Sequence, residues 1–264
     1  YYIQCQREIE GSGIEMMKMG EEGVPSVWEY IAELAKNKED LSVGFNGKNI
    51  VKKYIDDLYN KLNDTSVRIK ADEDVAGDIW KKEGRPKRSC ERVKLLDIAF
   101  AGKTACEKIE EVRKEMERYN CKQFFLSKLD DIMWLFNIRG GDVECNPVAL
   151  SYAFISMDEA FLFLQQDAVS NAMRAYLASQ RIILCDYDEV FDFIKEYPYE
   201  GRTLLDEKEV SYLAYSIIAC AYSDNTKYII NHDNPTAMLK AVKNETEIKW
   251  MREYFLRDSV AMTK

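Results

Sequence analysis

The chain has 264 residues, 47% of them hydrophobic and 31% charged, enough apolar material for one large core or two modest ones. Its net charge of -9 disfavours a nucleic-acid backbone as the main partner. No apolar run approaches the roughly 18 residues that a membrane span needs, and nothing at the start resembles a signal peptide.

Seven scattered cysteines, Cys5, Cys90, Cys106, Cys121, Cys145, Cys185 and Cys220, never form a CxxC pair. They read as reduced thiols of a cytoplasmic protein rather than a disulfide framework or a zinc site.

In chain order, Tyr1 to Cys5 and Ile14 to Met17 are apolar runs that predict strands. Ser26 to Ala35 predicts a helix with Ser26 as its N-cap, and Leu41 to Phe45 a strand. Asn49 to Leu62 predicts a helix with Ile50, Tyr54, Leu58 and Leu62 on one face. A strand at Ser66 to Ile69 and a helical turn from Asp74 to Trp80 close a first α/β unit, residues 1–82.

Lys81, Lys82, Arg85, Lys87, Arg88, Arg92 and Lys94 then form a basic cluster interrupted by Gly84 and Pro86. With no interleaved aromatics to stack on bases and no helical face to enter a groove, this stretch reads as a solvated linker, residues 83–102, ahead of a phosphate-binding patch.

The second unit, residues 103–241, opens on a helix from Lys103 to Tyr119. Ala105, Ile109, Val112 and Met116 form its apolar stripe, and Glu and Lys fill its other face. A strand from Gln123 to Ser127 and a short helix from Leu129 to Phe136 follow, with Asp130 and Asp131 in the first turn where the helix dipole favours carboxylates. Trp134 and Phe136 are expected in the core.

After the polar segment 137–147, Val148 to Ser156 and Ala160 to Leu164 predict a hairpin. Helices at Ala168 to Ala178, Tyr187 to Glu196 and Glu207 to Ala219 then alternate with strands at Arg181 to Leu184, Arg202 to Leu205 and Lys227 to Ile230. The pattern is α/β with helices on both faces of a mixed sheet. A short helix, Thr236 to Val242, leads into a long one from Glu245 to Lys264, where Ile248, Met251, Phe255, Ser259 and Met262 share a stripe that should pack against something. The sequence opens on Tyr1 without an initiator Met and stops inside this helix, so both ends are expected to be cuts through a longer protein.

No catalytic constellation emerges from the residues. The one histidine, His232, lacks a second histidine four residues away for zinc and a nucleophile on a tight turn. The carboxylate pairs Asp130/Asp131, Glu110/Glu111, Asp56/Asp57 and Glu21/Glu22 point about 100° apart when helical and chelate nothing unaided. Asp186 reads as an N-cap. The GSG at Gly11 to Gly13 lacks the continuation of a dinucleotide or phosphate-binding loop.

Three strings nevertheless carry a family likeness. KLDDIMWLFNIRGGDVECNPVALSYAFI, Lys128 to Ile155, resembles the second-domain motif of three-domain aminopeptidase P (Xaa-Pro aminopeptidase) enzymes of the creatinase/prolidase type. It supplies Asp130, Trp134, Asn137, Arg139, Asn146 and Pro147 at the motif positions. EGSGIEMMKMGEEGVPSVWEYI, Glu10 to Ile31, looks like the end region of the family's first domain, and PTAMLKAVKNETEIKWMREYFLRDSVAM, Pro235 to Met262, like the junction into the catalytic domain.

The resemblance implies two creatinase/prolidase N-terminal-like α/β domains, the first incomplete, followed by the opening helix of a catalytic "pita-bread" domain at 242–264. It implies a cytosolic, dimeric parent enzyme that removes an N-terminal residue preceding proline from peptides. Two divalent ions, commonly manganese, serve that chemistry, and their five ligand positions lie beyond Lys264. None maps onto this chain, which is expected to be inactive alone, to have its own catalytic domain as partner, and to shape substrate access and dimer contacts.

Arg139, a fixed cation beside a glycine turn, is expected either to anchor a neighbouring carboxylate or a domain interface, or to make a salt bridge inside the second domain. The terminal helix departs from the family pattern, with Tyr254 and Phe255 where a small residue and His are usual and Ser259 where glycine is common. A protein-binding scaffold module and a creatinase or prolidase relative are the alternatives.

Overall fold

The computed structural model describes residues 1–36, 41–63 and 65–264. Its N-terminal segment corrects the first expectation. Tyr2–Glu8 forms a helix, α1, with no buried residue, and Ile14 to Met17 has no regular structure. Among the described residues no strand lies alongside to pair with an extended 1–5 segment, and a helix satisfies its backbone groups within itself. Gln4 Nε2 donates to Glu8 Oε1 at 2.9 Å along it.

The first unit is built from α2 (Val27–Lys36), β1 (Ser42–Gly44), α3 (Lys52–Leu62), β2 (Arg68–Lys70) and α4 (Val75–Lys82). Ser26 caps α2 as expected, its Oγ accepting from Glu29 N while Glu29 Oε2 accepts from Ser26 N at 3.0 Å. Parallel β1 and β2 lie against α2 and α3, burying Ala32, Ala35, Leu58 and Leu62.

The face of α3 keeps Leu58 and Leu62 of the expected stripe but takes Ile55 in place of Tyr54. Ile55 is buried and Tyr54 is exposed. Val51 is held in a bridge to Ser211 and the helix begins only at Lys52, which sets its rotation. The bridge belongs to a seam in which Lys52 N donates to Val210 O and Tyr212 N to Ile50 O, at 2.9 and 2.8 Å.

The second unit contains β3 (Lys94–Leu95), α5 (Ile98–Ala101), α6 (Ala105–Arg118), β4 (Gln123–Leu126), α7 (Leu129–Leu135) and β5 (Ile138–Arg139). It continues with β6 (Ser151–Ser156), β7 (Ala160–Leu164), α8 (Asn171–Ser179), β8 (Ile182–Asp186), α9 (Val190–Glu196), β9 (Thr203–Leu205), α10 (Tyr212–Ala221), β10 (Ile229–Asn231) and α11 (Pro235–Ala241). The terminal helix is α12 (Glu245–Thr263).

A six-stranded sheet runs in the order β10-β9-β4-β6-β7-β8. β4 and β7 are antiparallel to β6, and the remaining neighbours are parallel, so the sheet is mixed. Alternation along the strands divides the core. Phe124, Leu126, Ile155 and Leu162 face α6, α7 and α8, while Phe125, Phe154, Phe161 and Phe163 face α9 and α10.

Two boundaries move for local reasons. β6 starts at Ser151 rather than Val148, because Ala149 lies against Gly140, where an added Cβ would stand 2.4 Å from Ala149 N. The tenth helix starts at Tyr212 rather than Glu207, because Ser211 Oγ caps it by accepting from Ala214 N at 3.3 Å. Asp186 caps its helical turn in a capping box, as expected.

The basic stretch is strapped to the second unit as it leaves the first. Arg88 pairs with Asp188 at 2.9 Å and lies over the Tyr187 ring. Asp142 Oδ1 accepts from Glu91 N (2.7 Å) and Ser89 Oγ (3.2 Å), while its Oδ2 accepts from Leu150 N (2.8 Å). Val93 is buried and donates to Ala168 O, and β3 pairs with β5, Lys94 opposite Arg139.

Candidate functional site: a cationic, aromatic cleft beneath the terminal helix

The first turns of α12 lean over the second unit and enclose a cleft of about 560 Å³. The N-cap of α12, Asn244, fixes this approach. Its Oδ1 accepts from Glu247 N in a capping box, and its Nδ2 donates to Ala101 O at 2.9 Å. Gly102, at φ +73°, ends α5 directly beneath, and a Cβ there would lie 2.4 Å from Asn244 Oδ1. Trp250 Nε1 donates to Ala99 O at 2.8 Å, and its ring meets Phe100 with centroids 4.7 Å apart.

Under the cleft lies Lys108, 1% exposed. Its Nζ donates to Trp134 O at 2.9 Å and Asn137 Oδ1 at 2.8 Å and sits 4.4 Å from the centre of the Trp134 ring. Burial lowers its pKa to about 8, against the pull of Glu247, while Arg139 and Lys103 add to the lowering. Asn137 tolerates its left-handed backbone, φ 54°, as Asn does more readily than most residues. Its amide also donates to Lys103 O at 2.8 Å.

Arg139 makes neither of the contacts expected of it with a carboxylate. Its Nη1 donates to Met133 O (3.2 Å) and Ile138 O (2.7 Å), and among the described residues it forms no ion pair. Burial lowers its pKa and Glu247 opposes that shift, but a guanidinium stays charged.

One wall is an ion-pair cluster joining α7 to α11. Asp131 is fully buried, accepts from Thr236 Oγ1 at 2.7 Å and lies 2.5 Å from Lys240 Nζ. Although Asp131 Oδ1 has no well-directed hydrogen bond, that short contact to an ammonium compensates its charge. Lys240 also pairs with Asp130. Burial works to raise the Asp130 pKa, and the Lys240 ammonium outweighs it and holds the carboxyl low.

The motif residues therefore converge. Asp130, Trp134, Arg139, Asn146 and Pro147 line the cleft, and Asn137 lies beneath it as a ligand of Lys108. Asp131, read from the sequence as one of two dipole-favoured carboxylates, is instead a buried pin between helices. Lys108 and Glu247 were not singled out from the sequence. Lys108 was assigned to the solvated face of its helix, yet it follows Ala105 by three residues and precedes Val112 by four, on the apolar stripe itself. Glu247 Oε1 accepts from Trp134 Nε1 at 3.3 Å.

His232 is exposed, with Nε2 3.0 Å from Tyr119 Oη and the two rings 4.3 Å apart. Among the described residues no group of three or more His, Cys, Asp or Glu could hold a metal ion. The residues present do not fit a dinuclear metal centre.

The match to known proteins falls on this architecture. Residues 84–247, which include the strap, the six-stranded sheet and most of the cleft lining, match the creatinase/prolidase N-terminal domain. The chain belongs to that family. Of the residues that line the cleft, Trp250, Met251 and Tyr254 lie beyond the matched range.

Over 99% of its length the chain is 29% identical to Xaa-Pro aminopeptidase 1 of Dictyostelium discoideum, of which it covers 41%. It is 32% identical to a probable Xaa-Pro aminopeptidase P of Colletotrichum graminicola, of which it covers 43%. The chain thus spans about two fifths of the length of these curated relatives. In structure it resembles the X-prolyl aminopeptidase of Caenorhabditis elegans, a cytosolic enzyme with a di-nuclear active site, with a TM-score of 0.87 over 99% of this chain and 42% of that one, at 24% identity. That likeness concerns the fold. No helix among the described residues is long and apolar enough to cross a membrane.

Proposed function

We propose that this chain is the non-catalytic N-terminal portion of a metal-dependent Xaa-Pro aminopeptidase that removes the residue preceding proline. The observation that supports this most is similarity over 99% of the chain to Xaa-Pro aminopeptidases that extend well beyond it. In this proposal residues 1–82 are the latter part of a first N-terminal domain, 83–102 connect it to a second at 103–241, and 242–264 open the catalytic domain. The two metal ions, manganese by family resemblance, belong to that further domain.

The role of the present region is to wall the approach to the active site and to contribute dimer contacts in the cytosol, so that a free peptide N-terminus is what enters. The exposed apolar residues of α12, Phe255, Leu256 and Met262 among them, favour a protein neighbour for that helix. Asp130, Trp134, Asn137, Arg139, Asn146 and Pro147 serve to set the angle at which α12 leaves the second unit.

The coding sequence downstream of Lys264 tests this. It should supply two aspartates, then a histidine and two glutamates in the order a dinuclear peptidase uses. A downstream sequence lacking those ligands would remove the peptidase assignment.

A further inference from the structure

The cleft holds a charge imbalance that the family assignment does not use. Lys108, Arg139 and Lys243 all border it. Among the described residues, every hydrogen bond that they make goes to a carbonyl oxygen: Trp134 and the Asn137 amide for Lys108, Met133 and Ile138 for Arg139, Lys240 and Ala241 for Lys243. Lys240 is neutralised by Asp130 and Asp131, which leaves Glu247 as the one lining carboxylate facing these three cations. Cations withdrawn from water are normally matched by an anion, and the chain as a whole is strongly acidic. A local excess of positive charge in that background favours an anionic ligand.

The other walls say what the ligand's body is. Trp134, Trp250, Phe100, Tyr254, Met133 and Met251 give the cleft an aromatic and thioether lining, and its 560 Å³ lies in the range of small-molecule sites. Arg139 spends only Nη1 on the protein. Its Nε and Nη2 form no hydrogen bond among the described residues, and that edge of a guanidinium presents the two parallel donors that match a carboxylate. Phosphate would accept the same donors but has no apolar body for the aromatic walls.

We propose that the cleft is a binding site for a small monocarboxylate with an aromatic body, its carboxylate on Arg139 and its ring against Trp250 and Phe100. The same chemistry occurs in a free aromatic acid and in a peptide ending in an aromatic residue with a free C-terminus. The proposal does not depend on the peptidase assignment.

Two of the four tryptophans, Trp134 and Trp250, line the cleft, so fluorescence titration reports occupancy. The probes are 3-phenylpropanoate and its amide, and Gly-Gly-Phe and its C-terminal amide. Saturable binding of one or both acids, about tenfold weaker for the matching amide and for Arg139→Met, is the expected result. The better acid identifies the source.

Equal binding of acid and amide, or of wild type and a folded Arg139→Met, overturns the proposal. Should Arg139→Met lose its thermal transition, Lys243→Met and Trp250→Leu, whose side chains are not buried, must each weaken acid binding instead, and unchanged affinity in either overturns it. Binding that disappears in a longer form of the protein also overturns it, because the protein's own residues then fill the cleft.

Discussion

Lys108 carries a free-energy cost that depends on pH. Its amine is protonated less readily in the folded state, down to about 8, because burial disfavours the charge. Between that value and the ordinary lysine pKa the unfolded chain binds more protons, so this group's contribution to stability rises with pH across that window. Glu247 and Glu111 oppose the shift while Arg139 and Lys103 reinforce it. The difference in unfolding free energy between wild type and Lys108→Met should therefore grow from pH 8 to pH 10, by at most about 1.4 kcal/mol per pH unit. A pH-independent difference would show that Lys108 titrates normally.

Asp142 collects donors from both the strap and Leu150, the residue before β6. Asp142→Ala should cost about 1–3 kcal/mol in denaturant unfolding and speed tryptic cleavage at Lys87 and Arg88. Unaltered cleavage would mean that Arg88 and Gln165, whose amide donates to Ser89 O, hold the strap without it.

Helices and strands divide by whether they anchor themselves locally. The sixth helix is legible because its apolar stripe is regular, and the hairpin of β6 and β7 because its strands are apolar and its turn short. Tyr1 to Cys5 was not, because an apolar run alone does not distinguish a strand from a helix, and only the absence of a pairing partner among the described residues decides it. Of the site, the motif residues were legible as a group, but not as neighbours of Lys108 and Glu247, since the sequence does not show which helix crosses which.

The terminal helix divides the same way. Glu247 and Trp250 are tied down, whereas none of its residues is buried and Phe255, Leu256 and Met262 stand open. Removing residues 252–264 should change stability by less than about 0.5 kcal/mol and should lower self-association in sedimentation velocity. A large loss of stability would show that the distal half of the helix packs on the fold.

At the scale of the molecule, two α/β units meet along a backbone seam at Lys52–Val210 and Ile50–Tyr212 and are joined by a strap rather than a loose connector. Such a body is suited to holding a neighbouring domain at a fixed angle, and α12 is the element that would carry it. Family membership covers residues 84–247, and similarity to Xaa-Pro aminopeptidases runs through the whole chain while reaching only about two fifths of theirs. On the function proposed, the peptidase chemistry lies outside these residues.

Its most direct test compares this chain, shown by circular dichroism to be folded, with a form extended to the relatives' length. Both are given manganese and a peptide with proline at its second position. Only the extended form should release the N-terminal residue, and a chelator should abolish the release. Manganese-dependent release by the 264-residue chain itself, or none by the extended form, would contradict it.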